Sequence, residues 1–386
     1  MKKLNVACFF NSPYLGGAER SLANQVKDLK LSNPRVEFLF YLPFFEKASD
    51  CGNIEMLLRE NGFDSSQVRY FKYSQSLYQV SRDSRLKFFK SLVGFYTTLK
   101  SLSKFNFDKH NVFWLGGNKV GVVVLLLAFI FRFKGRLIWH FRDYPISKGI
   151  FSIIWKMTKL PSSFTLDAVG NSYHVSKKII KTKGFKNVFT LYNPVGDLKP
   201  NNPDSIPCRI GTAAIFSPWK GVHSICLFAL IYEKELRKLG FEKFLIYGDE
   251  LYKTSGNHLG HKRDLINLQK KFNSSFLSFE GLKDPKEIFS NLDIFLHGSL
   301  KPEPFGRVII ESYRSNVVCL STGLGGAREL IDNEISGLIF NPYHYKEIFL
   351  KITKAISKRD TFLVEGRKKL VEIEETYKNQ LETIFH

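Results

Sequence analysis

Short apolar, β-branched runs alternate with longer helical patterns twice along this chain of 386 residues, and Asn193–Pro207 (NPVGDLKPNNPDSIP), with four prolines and few apolar side chains, separates the two series. Such alternation marks βαβ units and parallel sheets, and the proline-rich interruption reads as a linker. Two doubly wound parallel α/β domains are therefore expected. The first series places strands near 4–10, 36–42, 68–73, 111–115, 136–141, 166–170 and 187–192, with helices near 18–30, 53–61, 81–104, 118–133, 147–159 and 174–183. The second places strands near 209–214, 243–247, 276–279, 293–297, 317–321 and 337–340. Its helices fall near 221–239, 261–272, 284–291, 306–315, 327–333 and 343–357, and a polar-faced tail, 359–385, reads as helical. A chain of this length supports two cores of ordinary size. Its 44% hydrophobic content excludes a disordered chain, and 27 Gly with 14 Pro in no repeat excludes a collagen-like one.

The five cysteines, Cys8, Cys51, Cys208, Cys226 and Cys319, are scattered and odd in number, so they read as reduced core residues of a cytosolic protein. The N-terminus MKKLNVACFFNSP lacks the apolar length of a signal peptide and reads as a first strand. Val120–Phe131 is uncharged but spans twelve residues, where a membrane-crossing helix needs about 20. It is expected to be a buried helix.

Charge is distributed unevenly. Residues 1–200 hold 31 basic and 13 acidic side chains, and the remainder 26 and 23. One half is thus suited to an anionic surface or substrate. Within it Ser81–Phe105 reads as a basic amphipathic helix, with Arg82, Arg85, Lys87, Lys90, Lys100 and Lys104 beside Phe88, Phe89, Leu92, Phe95 and Tyr96. It fits a membrane surface and equally a sheet-covering helix with a solvated face.

Two segments carry chemistry. In the first half a strand runs into Asn11-Ser12-Pro13-Tyr14-Leu15-Gly16-Gly17-Ala18-Glu19-Arg20 and a helix. Paired glycines at such a turn let backbone N–H groups approach an anion, although a plain tight turn has the same composition. There is neither G-x-G-x-x-G nor a P-loop lysine. In the second half, Lys301-Pro302-Glu303-Pro304-Phe305-Gly306-Arg307-Val308-Ile309-Ile310-Glu311 places Glu303 in a loop and Glu311 in the second turn of a helix starting near Gly306. A carboxylate there suits a ribose diol; two unrelated surface glutamates have the same spacing. His258 and His261 lack a third metal ligand and read as loop residues. His174 reads as a helix start, and His297 as either a cleft or a structural histidine. No Asp-x-Asp occurs, which removes the simplest carboxylate site for a divalent metal, so metal independence is expected; no cofactor is expected either.

Glu303-Pro304-Phe305-Gly306 with Glu311 resembles the paired-glutamate signature of retaining glycosyltransferases of the GT-B fold. Gly16–Arg20 resembles the N-terminal loop of glycosyltransferase family 4, Ser217-Pro218-Trp219-Lys220-Gly221 the segment with that family's phosphate-binding lysine, and Gly323–Leu330 its late glycine turn. These elements occur in family order between about residues 5 and 340. The resemblance implies a GT-B fold of two Rossmann-like domains facing a cleft. The first, 1–195, lies on the acceptor side with a C-terminal helix 372–386 packed back on it, and the second, 196–371, binds a nucleotide-sugar donor. It implies that Lys220 pairs with the diphosphate, that Glu311 holds the ribose, and that Glu303 with the Phe305 and Gly306 backbone holds the sugar. Gly325 and Gly326 would approach donor phosphate or sugar, with Glu329 nearby. His140 matches the family's active-site histidine, and Gly16 and Gly17 line the acceptor side. Five residues before the lysine, where the family commonly has arginine, this chain has Ile215.

The expected function is thus retaining transfer from a nucleotide-diphosphate sugar to a hydroxyl acceptor, such as a lipid-linked or cell-envelope glycan, by a cytoplasmic protein, peripheral on the membrane through its basic half. A DNA-modifying GT-B glycosyltransferase and an inactive nucleotide-sugar-binding protein are the alternatives. The first ranks lower because no nucleic-acid-binding motif is evident.

Overall fold

The computed structural model of the protein describes residues 4–75, 85–145, 156–182, 184–196, 198–200, 209–250 and 260–385, with the backbone alone at 48, 50 and 85–92. The helix expected near 147–159 lies largely outside them, as do the start of the basic helix, Cys208 and His258. The chain divides into two compact units, Met1–Pro194 with Tyr377–His386, and Val195–Thr376.

In the first unit, β1 (Leu4–Phe9), β2 (Val36–Phe44), β3 (Val68–Lys72), β4 (Val112–Leu115), β5 (Arg136–Phe141), β6 (Thr165–Gly170) and β7 (Val188–Thr190) form one parallel sheet in the order β3-β2-β1-β4-β5-β6-β7. Helices α1 (Gly17–Ser32), α2 (Gly52–Glu60), α3 (Arg85–Leu102), α4 (Asn118–Ile130) and α5 (Tyr173–Ile180) connect them. Strands covered on both faces lose the alternation of a half-exposed strand, and every residue of β4 is buried. α4 is the uncharged helix of the sequence. Val120 to Leu125 are all buried, and a Cβ on Gly121 would stand 2.3 Å from the Trp139 ring. Among the described residues no helix is long and apolar enough to cross a membrane.

The second unit has β8 (Ile210–Ala213), β9 (Phe244–Tyr247), β10 (Leu277–Gly281), β11 (Ile294–His297), β12 (Val318–Ser321) and β13 (Leu338–Ile339) in the parallel order β10-β9-β8-β11-β12-β13. Its helices are α6 (Val222–Ile231), α7 (Glu233–Lys238), α8 (His261–Lys271), α9 (Pro285–Ser290), α10 (Arg307–Arg314) and α11 (Tyr345–Ser357); α12 (Arg359–Phe385) follows. The single helix expected over 221–239 divides at Tyr232, whose ring stacks on Phe228 and Phe349 at 5.5 and 5.3 Å. The helix expected near 327–333 is a 3₁₀ turn, Gly326–Leu330, because the backbone just before it pairs with residue 303. Cys8, Cys51, Cys226 and Cys319 are buried and form no disulfide.

The end of α12 belongs to the first unit. There the Tyr377 hydroxyl donates to Asp28 at 2.6 Å, Gln380 accepts from the Tyr192 N–H at 2.8 Å, and Phe385 packs 4.7 Å from Trp114. In each sheet the chain changes direction beside its first strand, at β1/β4 and at β8/β11. Loops at the carboxyl ends of such strand pairs form the crevice where doubly wound sheets take ligands.

Candidate active site

In the second unit those loops are Ala214–Gly221 after β8 and Gly298–Gly306 after β11. Gly221 ties them together. Its φ is +69°, and a Cβ there would meet the Gly298 carbonyl oxygen at 1.9 Å, so only glycine lets the two loops approach this closely. The Leu300 N–H donates to the Trp219 carbonyl at 2.7 Å. This approach brings Lys220 to Glu303: its Nζ donates to Oε1 and Oε2 at 2.9 and 2.7 Å, and stands 4.2 Å from the Trp219 ring centroid.

Glu303 is buried and held from several sides. Ser299 Oγ donates to Oε2 at 2.8 Å, and His297 Nε2 lies 3.6 Å from it and 3.2 Å from Ser299 Oγ. His297 Nδ1 is 2.9 Å from Ser321 Oγ. Burial alone would raise the Glu303 carboxyl, but His297 and Lys220 outweigh it and hold the group at about 2. Glu303 is thus an anion at neutral pH. Its backbone forms a parallel bridge with Gly325, through Glu303 N–H to Leu324 C=O at 2.9 Å and Gly326 N–H to Glu303 C=O at 2.7 Å. The Gly326 N–H, expected to face a ligand, is therefore already engaged. Glu329 is half-buried in the 3₁₀ turn that follows.

Glu311, 5% exposed, lies in the second turn of α10 and accepts from Arg307 Nη2 at 2.9 Å. The Phe305 side chain is buried, so backbone groups alone are what that residue offers a ligand. Gly306, at φ +104°, is the N-cap of α10 and supplies no side-chain cap; Gly221 is the equally bare N-cap of α6. By contrast α5 and α9, away from the two strand-order reversals, are capped by the Ser172 and Asp284 side chains. Bare glycine caps leave first-turn N–H groups and the positive end of the helix dipole open to an anion.

In the first unit, α1 again has a bare glycine N-cap, Gly16, and Gly16 and Gly17 are exposed. The neighbouring loop holds Gly116 and Gly117, where a Cβ on Gly117 would be 2.6 Å from the Asn11 side chain. Asn11 Oδ1 accepts from the Lys119 and Val120 N–H groups and so caps α4. Nothing in the sequence reading singled out this second glycine pair, although it repeats the strand-to-helix pattern of the first.

His140 is fully buried near the end of β5. Its Nδ1 faces Arg142 Nη2 at 3.4 Å, and its Nε2 has no hydrogen-bond partner among the described residues. A guanidinium only donates, so Nδ1 accepts and the proton sits on Nε2. Burial and the Arg142 charge hold the imidazole well below its usual range, leaving it neutral. It offers one buried N–H that a ligand oxygen can take. Arg142 joins this cluster: its guanidinium donates to Gln25, and to Asn193 at 3.2 Å, and its charge acts on Glu19 and Cys8.

Burial raises the Glu19 carboxyl to about 7, against its own N–H, the Arg142 charge and the Gly16 N–H. Between the unfolded value of about 4.3 and 7, the native state keeps a proton that the unfolded chain releases, so stability falls as pH rises through that window. Denaturant titrations at pH 5 and 8 should show a loss on the order of 3 kcal/mol from this group, and Glu19→Gln should remove it. An unchanged pH slope in the variant would contradict the assignment.

Residues 209–376 match the family model of the glycosyl transferases group 1. A probable sucrose-phosphate synthase of Thermosipho melanesiensis is 33% identical over 121 residues, a segment covering 29% of this chain and 28% of that protein's length. Among solved structures, Anabaena HepE in complex with UDP-glucose superposes with a TM-score of 0.74 at 18% identity, covering 98% of this chain and 100% of that one. Sucrose-phosphate synthase from Thermosynechococcus elongatus gives 0.71 at 13% identity, over 99% and 98%. The lipopolysaccharide outer core galactosyltransferase WaaB gives 0.65 at 14% identity, over 98% of each. The two parallel-sheet units have the fold of the GT-B glycosyltransferases. The chain resembles the group 1 members of that class, the match lying in its second unit.

Proposed function

We propose that this protein transfers a sugar from a nucleoside-diphosphate sugar to a hydroxyl acceptor, with retention at the anomeric carbon. The observation that carries the reading is the Lys220–Glu303 pair at the strand-order reversal of the second sheet, inside the segment that matches the group 1 glycosyl transferases. HepE is named in complex with UDP-glucose and WaaB is named as a galactosyltransferase, which supports a nucleotide-sugar donor and a glycan acceptor.

In this reading Lys220 and the bare N-termini of α6 and α10 take the diphosphate. Glu311 accepts from the ribose hydroxyls, exchanging its bond with Arg307 for them. Glu303, ionised, accepts from hydroxyls of the sugar, and the Phe305 and Gly306 backbone lies beside it, with Gly325 and Glu329 nearby. The bond from the anomeric carbon to the diphosphate oxygen breaks, the acceptor oxygen bonds on the same face, and its proton passes to the departing phosphate oxygen. Lys220 and the helix N-termini stabilise the negative charge that develops on the leaving group. With no Asp-x-Asp in the sequence, these groups stand in the place of a divalent metal. His140 Nε2–H donates to an oxygen of the transferring sugar, and Gly16 and Gly17 meet the acceptor. The basic first half of the chain suits an acceptor at an anionic membrane, such as a lipid-linked or envelope glycan, reached from the cytoplasmic side.

The test is thermal stabilisation by a panel of nucleoside diphosphates and nucleotide sugars, on wild type and on Glu311→Ala. One base should stabilise wild type by several degrees, and the variant should lose most of that gain. If no nucleotide stabilises wild type, the donor site fails.

A further inference from the structure

At the amino edge of the first sheet, opposite the edge that carries Gly16, Gly17 and His140, lies a cavity of about 290 Å³. Phe107, Phe113, Phe131 and Phe133, with Leu127 and Ala128 of α4, make up its apolar lining. Arg132, Lys134 and His110 also line it, with Asp108 as its one carboxylate. Neither Arg132 nor Lys134 makes an ion pair with a described residue. Phe131, one of the lining residues, is 48% exposed, and Ile130, next to it in the chain, is 56% exposed. α3, which packs against α4, exposes Val93 and Tyr96.

The backbone here carries a second sign of selection for a side chain. α4 ends in a Schellman motif, with Arg132 N–H to Phe129 C=O at 3.2 Å and Phe133 N–H to Ala128 C=O at 2.9 Å. The left-handed position of that motif favours glycine, yet this chain puts arginine there, at φ +48°. The strained residue is the one whose cation stands at the cavity. Strain retained at a rim whose charge has no ion-pair partner among the described residues points to a ligand.

We propose that this cavity takes one acyl chain of an anionic phospholipid, with the lipid phosphate on Arg132 and Lys134. An apolar slot beside exposed apolar side chains, rimmed by cations, on the half of the chain with 31 basic and 13 acidic residues, has the complementarity of a lipid rather than of a water-soluble anion. The inference rests on the peripheral membrane association proposed above, but not on the transfer activity.

Flotation with phosphatidylglycerol-containing vesicles and with phosphatidylcholine vesicles tests it. Wild type should float with the first and not the second. Ala128→Phe fills the cavity and keeps every charge, so its partition should fall at least fivefold. Arg132→Gly relieves the backbone, so its melting temperature should hold or rise while its partition drops by more than that of Lys104→Ser. Lys104 is an exposed lysine off the cavity, where loss of one cation costs roughly fivefold. If wild type ignores both vesicles, the membrane reading and the cavity assignment fall together. If Ala128→Phe floats like wild type, or Arg132→Gly loses no more than Lys104→Ser, the cavity assignment falls and the membrane reading stands. Should Ala128→Phe not fold, the Arg132→Gly and Lys104→Ser pair decides.

Discussion

Glu303→Gln is expected to leave the protein folded and the nucleotide bound, and to lower kcat for sugar transfer by about 10²–10³. The side chain is isosteric, so the Ser299 and backbone contacts of residue 303 have partners in the variant. What disappears is the negative charge that Lys220, His297 and Ser299 surround. In the proposed reaction that charge accepts hydrogen bonds from the sugar while positive character grows on its ring. A transfer rate within threefold of wild type, at saturating donor and acceptor, would remove Glu303 from the mechanism. The same substitution has an independent readout in acid. The folded carboxyl titrates at about 2, below its unfolded value of about 4.3. Its ionisation therefore stabilises the fold above pH 4.3, and that stabilisation is lost as pH falls toward 2. Wild type should lose stability more steeply than Glu303→Gln over this interval.

Much of this arrangement is legible in the sequence, and the reason is physical. Parallel strands buried on both faces leave continuous apolar runs such as Val112–Leu115, and glycines stand where two loops must touch, as at Gly221. Those signals are local, and each predicted strand has a counterpart in the two sheets. The pairing of Lys220 with Glu303, 83 residues apart, follows only once β8 and β11 are known to be neighbours. The support beneath Glu303 was less visible. The sequence leaves His297 as either a cleft or a structural histidine. In the fold it is buried, bonded to two serines, and also adjacent to the functional carboxylate. Ser299 and Ser321 carried no signal, since a serine in a loop or at a strand end is ordinary. Arg142 and Glu19 are brought together by the first sheet rather than by spacing, so no linear motif announces them. Tyr232 is similar: the helix break it marks comes from stacking on Phe349, a contact with a distant helix that local periodicity does not contain.

Lys220→Met should cost more than the contact it removes. Glu303 would be left a buried carboxylate without its nearest cation, and breaking such a pair from one side typically destabilises by about 3–5 kcal/mol. Lys220 keeps 18% of its side-chain surface exposed against 11% for Glu303, which places the expected loss at the lower end. Nucleoside-diphosphate affinity should fall as well, by roughly ten- to a hundredfold, the effect of one charge-assisted contact. Ile215, on the same loop, is a hydrocarbon side chain and offers no second cation to compensate the loss. The double variant Lys220→Met/Glu303→Gln separates the two effects. Removing the orphaned charge should restore most of the stability, because the pair destabilises when broken and not when both charges are deleted. Diphosphate binding and transfer should stay lost, because neither neutral side chain can replace the ammonium at the leaving group. Urea denaturation and nucleotide titration of the four species would measure both. If the double variant recovered nucleotide affinity along with stability, Lys220 would be a structural counter-ion for Glu303, and the diphosphate would have to be held by the glycine-capped helix ends alone.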